Sequence, residues 1–232
     1  AEMEQVHRYP DPHAKALRQA LSTHLEVDPS QLSLGNGSDD LIVRLAHAIL
    51  QPGDSTVVPA FTFPQYRFAT TLAGGVTIEA PMQGWNIDTE SMLAAITPRT
   101  RIVFLCNPNN PTGTWIRSGE LVKFLRAVPQ DILVAIDEAY VEFVEDDCDF
   151  PDSLALQKDH PNVLILRTFS KAYGLAGMRV GYAIGTESLI AKMNRVRLPF
   201  GVNHLAQVAA VAALEDTQHL QETLANNAVG KA

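Results

Sequence analysis

Three strand ends in this sequence carry side chains that could do chemistry together. Lys171 stands in RTFSKAYGLAGMRVGY, just past the apolar run VLILR (163–167) and just before a glycine-rich turn. A fully solvated amine is protonated at neutral pH and is a poor nucleophile. Desolvation or a neighbouring cation favours the neutral amine, the form that adds to a carbonyl and makes a Schiff base. Taken alone, a surface lysine after a strand is the commoner meaning of such a position. Asp137, Glu138 and Tyr140 follow ILVAI (132–136) in the same way, and Asn107 to Gly113 follow RIVFL (101–105). Thr168 and Ser170 accompany Lys171. In open α/β sheets ligands bind beyond the carboxyl ends of the strands, which is where all these polar groups fall.

A carboxylate reached directly from an apolar run lies at the rim of the core and needs a partner. For Asp137 the pyridine nitrogen of pyridoxal 5'-phosphate (PLP) is such a partner, because an adjacent carboxylate keeps that nitrogen protonated and the ring an electron sink. The alternatives are an Asp that caps the next helix or a Walker-B-like metal ligand. The second fails because the chain has no GxxxxGK[ST] loop. LSLGNGSDDLIVRL reads as strand, glycine turn and helix, and main-chain N–H groups at a helix start are a ready anion site. Asp39 and Asp40 would repel a phosphate, so main-chain amides and Ser38 must bind it while the carboxylates point away. The third glycine of a dinucleotide fingerprint is missing, which argues against a nicotinamide dehydrogenase. Arg179 suits bidentate phosphate recognition, with Ser170 and Thr168 as hydroxyl donors. Phe63, in PAFTFPQY, could stack on a flat ring or simply pack in the core.

These positions need a frame. STVVP (55–59), VTIEA (76–80), RIVFL, ILVAI, VLILR and VGYAI (180–184) are near-continuously apolar, the pattern of strands covered on both faces. Amphipathic stretches lie between most of them: PHAKALRQALSTHL, with proline near its first turn, DDLIVRLAHAIL, TESMLAAI, SGELVKFLRAV and ESLIAKM. Strand–helix alternation predicts an α/β fold with a mostly parallel sheet flanked by helices. The 232 residues are 46% hydrophobic and 19% charged, enough for a substantial core. A net charge of −8 disfavours non-specific binding to nucleic acid or to an anionic membrane, and no basic cluster offsets it. The cysteines, Cys106 and Cys148, have no metal or redox spacing; a reducing, cytoplasmic setting is expected. No signal peptide is expected, and no apolar run is long enough to span a bilayer. The acidic stretch 144–152 reads as a solvated loop rather than a metal site.

Taken together, HRYPDP (7–12), LGNGSDDLI (34–42), PAFTFPQY (59–66), CNPNNPTG (106–113), AIDEAYVEF (135–143) and RTFSKAYGLAGMRVGY (167–182) resemble the fold-type I aminotransferases, and within them the histidinol-phosphate aminotransferases. The resemblance covers nearly the whole chain and implies roles residue by residue. Lys171 would hold PLP as a Schiff base and then act as general base and acid. Asp137 would pair with the pyridinium nitrogen, and Asn110 and Tyr140 would hydrogen-bond the phenolic oxygen. Phe63 would stack on the ring. Main-chain amides at Ser38 and Asp39, with Ser170 and Arg179, would bind the phosphate, and Thr168 would support it. Tyr9 would reach the phosphate of a neighbouring subunit, which requires a homodimer.

The implied reaction is transamination of an amine with a keto acid. The favoured pair is L-histidinol phosphate with 2-oxoglutarate, giving imidazole acetol phosphate and L-glutamate in histidine biosynthesis. An aromatic amino-acid aminotransferase and a threonine-phosphate decarboxylase are the alternatives of the same fold; a truncated module that only binds PLP or dimerises is the alternative of another class. The expected organisation is an N-terminal arm remnant (1–13), a PLP-binding large domain (14–216) and the start of a connection (217–232) to a small domain that is largely missing. The arginines that grip the substrate belong, by the resemblance, to that small domain.

Overall fold

In the computed structural model, residues 2–145 and 148–231 are described. Asp146 and Asp147, at the centre of the acidic stretch 144–152, lie outside the described residues. The chain runs through α1 (Lys15–Leu25), β1 (Leu32–Gly35), α2 (Gly37–Ile49), β2 (Ser55–Pro59), α3 (Gln65–Leu72), β3 (Val76–Ala80), the short pair β4 (Met82–Gln83) and β5 (Asn86–Ile87), and α4 (Thr89–Ala94). It continues through β6 (Thr100–Cys106), α5 (Ser118–Ala127), β7 (Leu133–Asp137), α6 (Ser153–Asp159), β8 (Val163–Thr168), β9 (Gly181–Ile184), α7 (Glu187–Arg195), α8 (His204–Glu215) and α9 (Thr217–Lys231). The fold class is α/β with a mostly parallel sheet and flanking helices. Two compact units divide it, one of residues 42–166 and the other of residues 1–41 and 167–232.

The 42–166 unit is the parallel one. β2 pairs in parallel with β3 and with β6, β6 with β7, and β7 with β8. Register sets Cys106 opposite Asp137, and Asp137 opposite Leu166, so the polar ends of β6 and β7 lie level. β6, β7 and the unit's part of β8 are buried almost throughout, as continuous Val/Ile/Leu runs require when both faces are covered. β3 departs from that expectation. It pairs with β2, and Val76 is 57% exposed. Glu79 on β3 forms an ion pair with Arg67 of α3, and a charged residue on a half-covered strand discourages pairing with another chain.

The other unit holds the antiparallel pair β1 and β9, in register from Leu32 opposite Ile184 to Gly35 opposite Gly181. On α1, Leu17 and Leu21 are fully buried, one above the other on the face that packs against α8. Burying each of them stabilises the unit by roughly 1.5–3 kcal/mol. The proline predicted for the first turn of α1 falls before it. Asp11 is the reason: its carboxylate accepts from the main-chain N–H of His13 and of Lys15, each at 2.9 Å, so the helix starts at Lys15. Those two N–H donors, Lys15 first, hold the Asp11 carboxyl below the usual carboxylate range. α9 forms a helix over most of the final segment.

Candidate active site

Gly181 makes an anion cradle possible in the 1–41 and 167–232 unit. A Cβ on Gly181 would lie 2.7 Å from the Ser38 nitrogen, 2.9 Å from the Gly37 carbonyl carbon and 3.0 Å from the Arg167 oxygen. Only a glycine lets β9 approach the first turn of α2 this closely. That turn offers main-chain N–H groups and the positive end of a helix of 13 residues. Asp40 turns back to accept from the Asn36 N–H at 3.0 Å, and Asp39 pairs with Arg179 at 3.0 Å. Both carboxylates are thus engaged with donors of their own.

The loop from β8 to β9 closes on itself. Phe169 N–H donates to Val180 O at 3.1 Å, Leu175 N–H to Phe169 O at 3.0 Å, and Gly174 N–H to Lys171 O at 2.9 Å. Gly174 takes φ +68°, a left-handed turn suited to glycine. Thr168 ends β8, and its Oγ1 accepts from the Ser170 N–H at 3.1 Å while the two hydroxyls lie 2.9 Å apart. Arg179 adopts φ +58°, which is uncommon for a non-glycine residue. Its Nη1 donates to Ala176 O at 3.1 Å and approaches Ser170 Oγ at 3.5 Å, and its Nη2 reaches Asp39. A Cβ on Gly37 would lie 2.6 Å from that Nη2, so Gly37 leaves the space the guanidinium fills. Lys171 is exposed on this loop. Ser38, Asp39, Thr168, Ser170 and Arg179 are therefore brought together around the start of α2 and the lysine loop. Tyr9 stands outside this set: it is 82% exposed and stacks on Phe200, with centroids 4.5 Å apart.

In the 42–166 unit, Asp137 ends β7 and is 2% exposed. Its Oδ2 accepts from the phenol of Tyr66 at 2.8 Å. Asn110 Nδ2 donates to Tyr140 Oη at 3.3 Å, joining the two residues expected at one oxygen. The other asparagines of NPNNPTG are structural. Asn107 Oδ1 accepts from Ile116 N–H at 2.8 Å, and Asn109 donates to Phe61 O and accepts from Thr62. Phe63 meets Tyr66 edge-on, with centroids 5.7 Å apart. Tyr66 and Gly181 are the residues that sequence reasoning missed. No local pattern marked Tyr66, which lies in the first turn of α3 and whose main-chain N–H donates to Phe63 O at 3.4 Å. Among the described residues, no group of His, Cys, Asp and Glu is placed to hold a metal ion, and no helix is long and apolar enough to cross a membrane.

One unit holds an exposed amine on a glycine turn beside main-chain N–H, hydroxyl and guanidinium donors, and the other holds a buried carboxylate at a parallel strand end. The chain belongs to the aminotransferase class I and II family, whose profile matches residues 1–229. Within that family it is 46% identical over 229 residues to histidinol-phosphate aminotransferase 2 of Carboxydothermus hydrogenoformans, covering 99% of this chain and 63% of that protein. It is 47% identical over 232 residues to histidinol-phosphate aminotransferase 1 of Cupriavidus pinatubonensis, 61% of whose length it covers. Among solved structures, histidinol-phosphate aminotransferase of Sinorhizobium meliloti in complex with pyridoxal-5'-phosphate superposes with a TM-score of 0.90 at 34% identity, over 96% of this chain and 60% of that one. The chain thus spans less than two thirds of the length of these relatives.

The residues present fit PLP by their chemistry. Hydroxyl, main-chain N–H and guanidinium donors match a phosphate, and a carboxylate buried as Asp137 is matches a cationic ring nitrogen.

Proposed function

We propose that this chain is the cofactor-binding part of a PLP-dependent aminotransferase acting on L-histidinol phosphate, with 2-oxoglutarate as amino acceptor, in histidine biosynthesis. The observation that carries the reading is the lysine loop: it puts the Lys171 amine in one closed turn with Ser170, whose hydroxyl Arg179 approaches at 3.5 Å. The proposed large domain is 14–216, preceded by an arm (1–13) and followed by a connecting segment (217–232). A reducing, cytoplasmic setting belongs to the same reading; Cys106 and Cys148 are free thiols.

When bound, PLP supplies an aldehyde that takes up the substrate's amine and a ring that accepts electrons from Cα. The chain's own residues do the rest. The N–H groups at the start of α2, Ser170 and Arg179 hold the phosphate, and Thr168 orients Ser170 through their hydroxyl contact. Asp137 would hold a proton on the ring nitrogen, and Asn110 and Tyr140 would donate to the phenolic oxygen. Phe63 covers a ring face. Lys171 Nζ would be the amine that holds the cofactor and, when free, the base that would take a proton from the substrate's Cα and the acid that would return it. Tyr9 completes the phosphate site of a second copy in a homodimer, and its exposure supports that assignment.

The test is a half-reaction screen. Purified protein loaded with PLP is mixed separately with L-histidinol phosphate, phenylalanine and threonine phosphate, and the cofactor's visible absorbance is followed. Selective conversion to pyridoxamine phosphate by histidinol phosphate supports the reading. Selective conversion by phenylalanine moves the chain to aromatic amino-acid transfer, and threonine phosphate losing carbon dioxide moves it to decarboxylation. A coloured protein that converts none of them is a binding module.

A further inference from the structure

Resting on the cofactor reading above, we propose that Tyr66 is the positioning residue for Asp137. Its phenol fixes the carboxylate at the end of β7 and keeps it ionised, so that the cofactor's ring nitrogen, not the carboxyl, retains the proton they share.

The phenol is held from several sides. Tyr66 is fully buried on α3. Its ring stacks on Phe104 of β6 with centroids 4.7 Å apart and planes 8° from parallel, and Phe63 meets it at 85°. With the ring fixed, its Oη is held 2.8 Å from Asp137 Oδ2, to which the O–H donates. The neighbouring thiol of Cys106, opposite Asp137 in register, also lies within hydrogen-bond reach of the phenol, and it donates from Sγ to Pro108 O at 3.3 Å. Burial, then the Asp137 charge, pushes Tyr66 well above the usual phenol range, and burial pushes Cys106 up to about 12. Both therefore keep their protons at neutral pH, and Tyr66 is a permanent donor.

A hydrogen bond to a charged acceptor favours the ionised form. Without the phenol proton the carboxylate would become the stronger base, and the shared proton would shift from the ring nitrogen toward Asp137. The ring then loses its positive charge and much of its pull on Cα electrons. The step is a proton transfer between two named atoms and needs no other reactant.

Tyr66→Phe is the test, because it keeps both ring contacts and removes the phenol O–H. The first readout needs no cofactor. In the chain carrying 13C-labelled aspartate carboxyls, the Asp137 signal is identified by its loss in Asp137→Asn. Tyr66→Phe is expected to let this carboxyl take up its proton at about tenfold lower proton concentration, the effect of losing a donor to a charged group. The second readout uses PLP labelled with 15N in the ring: the bound ring signal moves toward the unprotonated position in Tyr66→Phe. A variant that melts like the wild type yet leaves the carboxyl titration unchanged overturns the proposal. Should Tyr66→Phe fail to fold, Tyr66→3-fluorotyrosine supplies a stronger donor in the same place. It must move the carboxyl titration the opposite way, and no movement overturns the proposal equally. Wild-type protein that takes up no PLP defeats the cofactor reading alone, since the carboxyl titration still reports on Tyr66.

Discussion

Gly181→Ala should damage this chain far more than its size suggests. The added methyl meets three main-chain atoms, at 2.7 Å from Ser38 N, 2.9 Å from Gly37 C and 3.0 Å from Arg167 O. Flexible side chains could swing away; these atoms belong to the start of α2 and to β8 and cannot yield without moving those elements. Overpacking costs about 1–3 kcal/mol, and clashes confined to backbone put this site at the upper end, about 3 kcal/mol. For a chain of this size that lowers Tm by roughly 6–12 °C. The same shift displaces the N–H groups proposed to hold phosphate, so PLP affinity should fall as well. Gly177→Ala is the control, because a Cβ there meets nothing within 4 Å, and it should stay within about 0.5 kcal/mol of wild type. Urea unfolding and a PLP absorbance titration on both variants make the comparison. If Gly181→Ala unfolds at the wild-type midpoint, the close approach of β9 to α2 is wrong, and the phosphate cradle with it.

Arg179→Lys keeps the charge but loses the planar fork. It should weaken PLP binding by about tenfold or more in a direct titration, since a charged hydrogen bond contributes about 1.5–3 kcal/mol. Tyr9→Phe keeps its stacking on Phe200 and should leave folding intact while weakening PLP affinity in the dimer; equal affinity would count against the cross-subunit contact. Cys106, raised by burial from 9.0 to about 12, loses stability to pH in one direction. The unfolded thiol ionises first, so its contribution is intact below about 9 and falls by up to roughly 1.4 kcal/mol per pH unit as pH climbs toward 12. Urea midpoints at pH 8 and pH 10.5 should show a fall that is smaller in Cys106→Ala.

Much of the frame was legible because parallel strands advertise themselves. β2, β6, β7 and β8 are unbroken apolar runs, and both faces of such a strand must be covered. β3 misled for the same reason: VTIEA is apolar enough to pass as buried, and only its place beside β2 shows why Glu79 is tolerated. α8 went unread because HLAQVAAVAALE is apolar on most sides and shows no stripe. At the proposed site, Lys171 and Asp137 were picked out as polar residues following apolar runs, and Arg179 by its place beyond the glycine turn, without any contact being known. Tyr66 was invisible because its role depends on a partner 71 residues away, and no local period encodes that. Gly181 was hidden similarly, since its need for hydrogen in place of a side chain arises from main-chain atoms of α2, far earlier in the chain, and of β8.

Covalent trapping tests the central claim most directly. Protein incubated with PLP is reduced with borohydride, digested, and searched by mass for a phosphopyridoxyl adduct. The adduct should fall on the peptide containing Lys171, and Lys171→Ala should abolish it. An adduct confined to other lysines, or none at all in protein that remains folded, would contradict the account.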